Sequence, residues 1–247
     1  MATIRSLRCG DLSSCMRLKT AAGWNQTEAD WQALLKTSPE GCWGIEERGE
    51  IVATTTAVVH GDVGWIGMVL TDPDFRGRGF ARQLMETALL WLDSQVATVK
   101  LDATTMGEPL YRSLGFIEEC PIERWFCEGV EVGATVAGRY PGVLRHPAIP
   151  IDAVAECEGA WAGGRAGSGA WYFGPCYGTS NEAVELVARA LLAGRGRAAW
   201  DLFPHHGSAA VAASLGFAPA RRLMRMVRGR VATTPADVYA IAGFEWG

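Results

Sequence analysis

Hydrophobic and polar positions change period along the chain in an order that outlines a fold. "TIRSLR", from Thr3, alternates apolar and polar as an edge strand does, and "GDLSSCMRLKTAAGW" follows with Asp11 placed as a helix N-cap. "NQTEADWQALLK" predicts a second helix, with Thr27 ahead of Glu28 and Asp30, and with Trp31, Leu34 and Leu35 on one face. "CWGIEERGEIVATTTAVVHGDVGWIGMVLT" reads as three strands broken at "ERGE" and "HGDVG". "FARQLMETALLWLDSQ" carries a helical stripe of Phe80, Leu84, Ala88, Trp91 and Leu92. "TVKLDAT" is a strand, "EPLYRSLGF" a short helix ending at Gly115, and "FIEECPIERWFCEG" a last strand or pair. The predicted order is β-α-α-β-β-β-α-β-α-β.

Beyond residue 128 the pattern changes and then partly repeats. "RYPGVLRHPAIP" has the Pro and Gly content of a linker or extended crossover, assigned to residues 129–150. "IDAVAECEGAWAG" predicts a helix, and "GAWYFGPCYGTSNEAVELVARALLAG" predicts strand, turn and helix. "AAWDLFPHHGSAAVAASLGFAPARRLMRMVRG" predicts strand, turn, a short helix ending in Gly216-Phe217, and strand. Residues 151–247 thus echo the end of the first 128.

Composition narrows the classes of function. The 247 residues are long enough for two domains, and 49% hydrophobic with 20% charged residues is normal for a soluble globular protein. A net charge of −4 argues against a general nucleic-acid or anionic-membrane binder. The charge is uneven: residues 1–128 hold 12 Lys+Arg against 18 Asp+Glu, residues 129–247 hold 11 against 9, and the halves are expected to attract. Seven cysteines with no C-x-x-C pair suit a reducing compartment better than disulfides or zinc. With no signal-like N-terminus and no apolar run of membrane-spanning length, the expected location is the cytoplasm.

The chemistry lies in "TDPDFRGRGFARQLM", Thr71 to Met85. A glycine-containing turn between a strand and a helix presents backbone amides at the positive end of the helix dipole, and Arg76 and Arg78 add charge suited to a pyrophosphate. No Gly-Lys-Ser/Thr follows, and no G-x-G-x-x-G stands after the first strand, so NTP and NAD sites are not indicated. The run Arg76-Gly77-Arg78-Gly79-Phe80-Ala81 resembles the R/Q-x-x-G-x-G/A signature of the GNAT superfamily of acetyl-CoA-dependent N-acetyltransferases. "LYRSLGF", Leu110 to Phe116, resembles that family's Tyr-x-x-x-Gly-Phe helix. The likeness covers residues 1–128. Thr104 departs from it, standing where many relatives have asparagine.

The resemblance implies a mixed GNAT-type sheet flanked by helices, followed by a second, degenerate GNAT-like α+β unit, as in bacterial tandem proteins. It implies acetyl-CoA as co-substrate without a metal, and direct attack by an amine of a small molecule or peptide. The backbone of Met68, Val69, Leu70 and Thr71 would meet the pantetheine and the thioester oxygen. Arg76, Gly77, Arg78, Gly79, Phe80 and Ala81 would hold the phosphates, and Thr104 would lie on the cofactor side. Tyr111 would donate to the departing thiolate.

The base stays open. Asp102, His60, Glu28 and Asp30 are candidates, but Asp102 also suits a cap, His60 a turn, and the other two a helix's first turn; a water relay is a further option. Trp24 and Asn25 are expected at the acceptor site, and Trp31 in the core. In the second unit "GPCYGTSNEA" lacks the arginine and glycine pair, and Val211 or Ala212 replaces the tyrosine. Tyr172, Cys176, Tyr177, His205 and His206 are placed near a shared cleft, without a metal or nucleophile role. The competing class is a noncatalytic sensor of acetyl-CoA or another metabolite.

Overall fold

Among the described residues 12 strands join into one sheet that runs through both halves of the chain. The computed structural model describes residues 2–130, 149–204, 207–231 and 235–247. Its first half contains β1 (Thr3–Ser6), α1 (Leu12–Ala21), α2 (Glu28–Thr37), β2 (Cys42–Glu47), β3 (Glu50–His60), β4 (Val63–Thr71), α3 (Phe80–Leu92), β5 (Thr98–Ala103), α4 (Glu108–Ser113) and β6 (Ile117–Cys127). This is the order that the hydrophobic periodicity predicts, with β6 a single strand. The second half contains β7 (Ala153–Cys157), β8 (Ala160–Arg165), β9 (Trp171–Gly178), α5 (Asn181–Leu192), β10 (Ala198–Leu202), α6 (Gly207–Ser214), β11 (Ala218–Gly229) and β12 (Val238–Ala240).

The helix expected over "IDAVAECEGAWAG" is instead the antiparallel hairpin β7–β8, in which Cys157 pairs with Ala160 across Glu158-Gly159. Gly159, the second turn residue, takes a positive φ of 89°, a conformation open to glycine. Alanine and glutamate favour a helix locally, but β8 is buried along its whole length, and small side chains fit a strand packed on both faces. Most of the expected 129–150 linker, residues 131–148, lies outside the described residues, as do His205 and His206.

The two halves exchange strands. The sheet order is β1-β2-β3-β4-β5-β11-β6-β10-β9-β8-β7, so β11 of the second half lies between β5 and β6, and β6 of the first half lies between β11 and β10. The sheet therefore does not divide at residue 128. Helices α3 and α4 cover one face of the first half, where Phe80, Leu84, Ala88 and Leu92 pack on Ile45, Ile66, Val99 and Leu101. Helices α1 and α2 cover the other, where Trp31 and Leu34 are joined by Ala242 and Trp246 from beyond β12. In the second half α5 and α6 enclose Trp200, Phe173 and Phe217.

The uneven charge is realised as ion pairs between the halves, buried and exposed. Arg225 on β11 donates to both oxygens of Asp102 on β5, at 2.9 and 3.0 Å, with both side chains almost wholly buried. Arg165 meets Asp30 at 2.7 Å, and Arg228 meets Asp93 at 2.6 Å on the surface. Breaking a buried pair from one side leaves a desolvated charge. Arg225→Met is therefore expected to lower stability by about 3–5 kcal/mol, and Arg225→Met with Asp102→Leu to regain most of the loss. Denaturant midpoints of the two variants check this; equal loss in both would place the cost in packing.

Candidate active site

Strands β4 and β5 run parallel but pair only over Val63–Trp65 with Thr98–Lys100. Past that point the edge of β4 facing β5 has no ladder partner, and its backbone groups are available to a guest. Within the same stretch Ile66 packs on the α3 side, whereas Met68 and Leu70 pack on the α1–α2 side. Regular alternation would keep all three together. A bulge breaks it: Thr56 faces Gly67 and Thr54 faces Leu70, leaving Met68 and Val69 opposite Thr55 alone. Met68 takes a positive φ of 51°, and Thr54 Oγ1 fixes it by donating to its carbonyl at 2.8 Å.

A cleft of about 830 Å³ opens at this splay, lined by Met68, Val69, Leu70 and Thr71 among others. The loop after β4 enters α3 through Gly79, which has φ 77° and ψ 10°, and the helix has no side-chain cap. Its first-turn amides are thus left for an anion. A Cβ at Gly77 would meet nothing within 4 Å, and one at Gly79 only the end of Gln83, so neither glycine serves protein packing. They serve the left-handed turn and the space over the amides. Thr71 Oγ1 is buried with no partner among the described residues. The residues present fit a phosphate-bearing thioester.

Arginine placement differs from expectation. Arg76, Gly77, Gly79, Phe80 and Ala81 line the cleft, but Arg78 does not. Its guanidinium pairs with Glu47 at 2.7 Å and stacks 4.6 Å from the Phe80 ring centre, and that pairing holds the Glu47 carboxyl below its usual range. Arg82, two residues into α3, takes a place in the cleft wall instead, bonded to Ser113 Oγ at 2.7 Å. Its position in the first helical turn was the signal in the sequence.

Tyr111 sits across the cleft on α4, 8% exposed, its ring edge-on to Phe116 at 6.2 Å. A Cβ on Gly107 would stand 2.8 Å from that ring, so the glycine lets the phenol settle at the helix start. The hydroxyl has no partner among the described residues, and burial raises its pKa, keeping it a proton donor. Thr104 also lines the cleft, its Oγ1 accepting from Gly107 N at 3.2 Å.

The base and acceptor candidates sort differently. Asp102 lines the cleft, but both its oxygens bind Arg225; burial raises its pKa while that arginine opposes the shift. His60 ends β3 beside Val63, at the opposite end of β4 from Thr71, so it is not at the site. Glu28 is exposed and accepts from Gln32 at 3.0 Å. Asp30 closes a capping box with Thr27 and pairs with Arg165. Asn25, expected at the acceptor site, is buried instead: it donates to Ala170 O at 2.9 Å and accepts from Gly169 N and Ala170 N at 2.7 and 3.0 Å. It docks the halves together. Trp31 is core, and Trp24 lines the cleft. Tyr172, Cys176 and Tyr177 do not line it, and burial raises the Cys176 thiol well above its usual value.

Sequence reasoning missed the other end of the cleft. Gln26, Arg124, Arg221, Phe244 and Glu245 line it. Trp65 Nε1 holds the Phe244 carbonyl at 3.0 Å, and Gly67 lies against the Glu245 backbone, where a Cβ would stand 3.1 Å from Cα. Glu245 is 1% exposed, pairs with Arg165 and accepts from Gln26 Nε2 at 2.6 Å. Burial raises its pKa against the pull of Arg165. One acid inside the apolar run "VYAIAGFEW" was the available clue, since such an acid needs a buried partner.

The second half has a matching splay that its own chain fills. Strands β9 and β10 pair in parallel over only three residues, Trp171–Phe173 with Ala198–Trp200. Beyond them β12 pairs with β9, Ile241 N donates to Asp201 O at 3.1 Å, and Trp200 Nε1 donates to Tyr239 O at 2.9 Å. Gly174 lies so close to the Ile241 carbonyl that a Cβ would collide with it.

Comparisons agree with this geometry. Residues 11–116 match the model of the Acetyltransferase (GNAT) family. The protein called uncharacterized N-acetyltransferase YitH, from Bacillus subtilis strain 168, is 24% identical over 120 residues, which are 49% of this chain and 42% of that protein. The chain thus spans less than half of that relative's length. A Pyrococcus horikoshii protein assigned as an acetyltransferase superposes with a TM-score of 0.81 at 18% identity, covering 100% of this chain and 96% of that one. A tandem GNAT protein from the clavulanic acid biosynthesis pathway superposes with a TM-score of 0.63 at 12% identity, covering 95% and 100%. These likenesses show a fold of two GNAT-like units.

Gly79→Glu would place bulk and negative charge over the first-turn amides. The variant is expected to lose CoA binding by calorimetry while its melting temperature stays within a few degrees of the parent. Undiminished affinity in the folded variant would remove the loop from the site.

Proposed function

Because residues 11–116 match the model of the GNAT acetyltransferase family, we propose that this chain transfers an acetyl group from acetyl-CoA to an amine by direct attack. The observation that carries the reading is the meeting, on one cleft, of the unpaired β4 edge, the uncapped start of α3 and the Tyr111 hydroxyl. Acetyl-CoA supplies an acyl group activated as a thioester.

The chain's own residues supply the rest. First-turn amides of α3, with Arg76 and Arg82, hold the phosphates. The β4 backbone from Met68 to Thr71 orients the pantetheine, and the bulge turns an amide there toward the thioester oxygen, where negative charge grows during attack. Tyr111, kept protonated by burial, donates to the sulfur as it leaves. Gln26 and Glu245 face the amine from the α1–α2 side. Both carboxylates of the wall are held by arginines, Asp102 by Arg225 and Glu245 by Arg165, so the amine's proton passes to water in the cleft. An amine near pKa 10.4 is only about 0.04% free at pH 7, so such acceptors need that help most. In the second unit β12 fills the equivalent cleft, which supports one acetyl-CoA per chain.

Thiol release across peptides, polyamines, amino acids and aminoglycosides tests the reading. Saturable acetyl-CoA binding with no release on any amine would favour a sensor. Tyr111→Phe is expected to lower kcat on the order of 10²-fold with acetyl-CoA affinity near the parent's. A calorimetric stoichiometry of one is expected; two equivalent sites would contradict the filled second cleft.

A further inference from the structure

The amine end of the cleft carries more positive charge than its own carboxylates neutralise at close range. Arg221 on β11 stands directly opposite Arg124 on β6. Like charges at such a cross-strand position repel unless an anion lies between them. The nearby acid, Asp201, is fully engaged: it accepts from Arg124 Nε at 2.7 Å and from Arg124 Nη2 at 2.6 Å. Arg124 is also stacked on the rings of Tyr172 and Phe244, at 5.1 and 4.6 Å. Arg221 has no hydrogen bond or ion pair among the described residues. It lines the cleft half-buried, and desolvation with the Arg124 charge lowers its pKa, against the partial pull of Asp201.

The face of the sheet separates this arginine from the phosphate loop. Arg221, Leu223 and Arg225 alternate onto one face of β11, where Leu223 packs with Ile122, Phe203 and Ile241, and Arg225 lies over Trp65. Met224 and Met226 point to the other, with Phe80 and Tyr111. Arg221 therefore stands on the acceptor side. Close by, Phe244 covers Arg124, and the next residue, Glu245, is bonded to Gln26. The Gln26 amide nitrogen is directed at Glu245, so its oxygen faces elsewhere; Oε1 is buried with no partner, and Gln26 is only 2% exposed. Gln26 and Glu245 thus line the same cleft as the unfilled cation of Arg221.

Resting on the proposed acetyl transfer, we infer that the acceptor is an amine that also bears an acidic group, carboxylate or phosphate. Its amine end lies toward the wall that Gln26 and Glu245 form, and its anionic end meets Arg221. Neutral amines and polyamines lack the second contact and are poor acceptors. A guanidinium that meets no anion stays desolvated without compensation, which sets the discrimination against them.

Matched pairs of amines test this: α-amino acids beside their decarboxylated amines and primary amides, and phosphoethanolamine beside ethanolamine. Each is titrated by calorimetry into the full chain saturated with CoA, and each is assayed for thiol release from acetyl-CoA. The acid-bearing member is expected to bind at least about tenfold more tightly, and the carboxylate and phosphate pairs tell which acid fits. Arg221→Gln should collapse that ratio to near one and Arg221→Lys should keep part of it, while Arg228→Gln, on the same strand but away from the cleft, should leave it in place. Equal binding of both members of every pair, or a ratio that survives Arg221→Gln, overturns the inference. Failure of acetyl transfer itself reads differently, as absence of acetyl-CoA binding or of thiol release on every amine, and the binding arm then decides the inference alone.

Discussion

Two parallel strands that separate after three residue pairs leave a row of amides and carbonyls without partners, and the rest of this structure follows from how that deficit is met. Inside a protein such groups must bond to something. In the first unit the splay between β4 and β5 stays open and is bordered by glycines, a helix start and a buried phenol. In the second unit the same separation between β9 and β10 is closed by β12 and the residues after it. One geometry thus yields a binding cleft in one place and a packed core in the other. The difference lies in which segment of chain reaches the gap.

That segment also links the units. Residues 238–242 fill the second splay, and Phe244 and Glu245 continue onto the wall of the first, where Arg165 and Gln26 hold the carboxylate. The open cleft therefore depends on residues from both halves, even though its phosphate loop and tyrosine come from the first half alone. Strand exchange reinforces this: the wall that carries Arg124 and Arg221 is built from β6 and β11 side by side. A second unit without a motif of its own still supplies part of the wall of the first unit's cleft.

How much of this could be read in the sequence depends on how local the cause was. The order of elements through β6 was legible because each period is set by neighbouring residues, and the place of Arg76, Gly77, Gly79, Phe80, Ala81 and Tyr111 on one cleft was legible because a turn into a helix and a phenol on a short helix need particular residues at fixed spacing. The β7–β8 hairpin was not, since alanine and glutamate carry helix propensity and only burial on both faces made them strand. The strand exchange was hidden because β6 and β11 are equally strand-like, and which neighbour each takes is decided far along the chain. Asn25 and Arg78 went to other partners for the same reason: Gly169, Ala170 and Glu47 compete for them from distant elements. The charge asymmetry did foretell the pairing of the halves, as Asp102–Arg225 and Asp30–Arg165, though not that these pairs would be buried.

The exchanged strands bear on how the chain is made. Thr98 on β5 pairs with Gly229, and the Ile117 end of β6 pairs with Val227, so both strands wait for more than 100 further residues before their shared neighbour exists. At about 5–20 residues per second of synthesis, that wait is roughly 5–25 s. Throughout it the newly made first half presents an apolar strand edge that any other strand could join. The nascent chain therefore passes through a stage in which assembly with the wrong partner competes with completion. Speed in translating the second half is thereby a folding parameter.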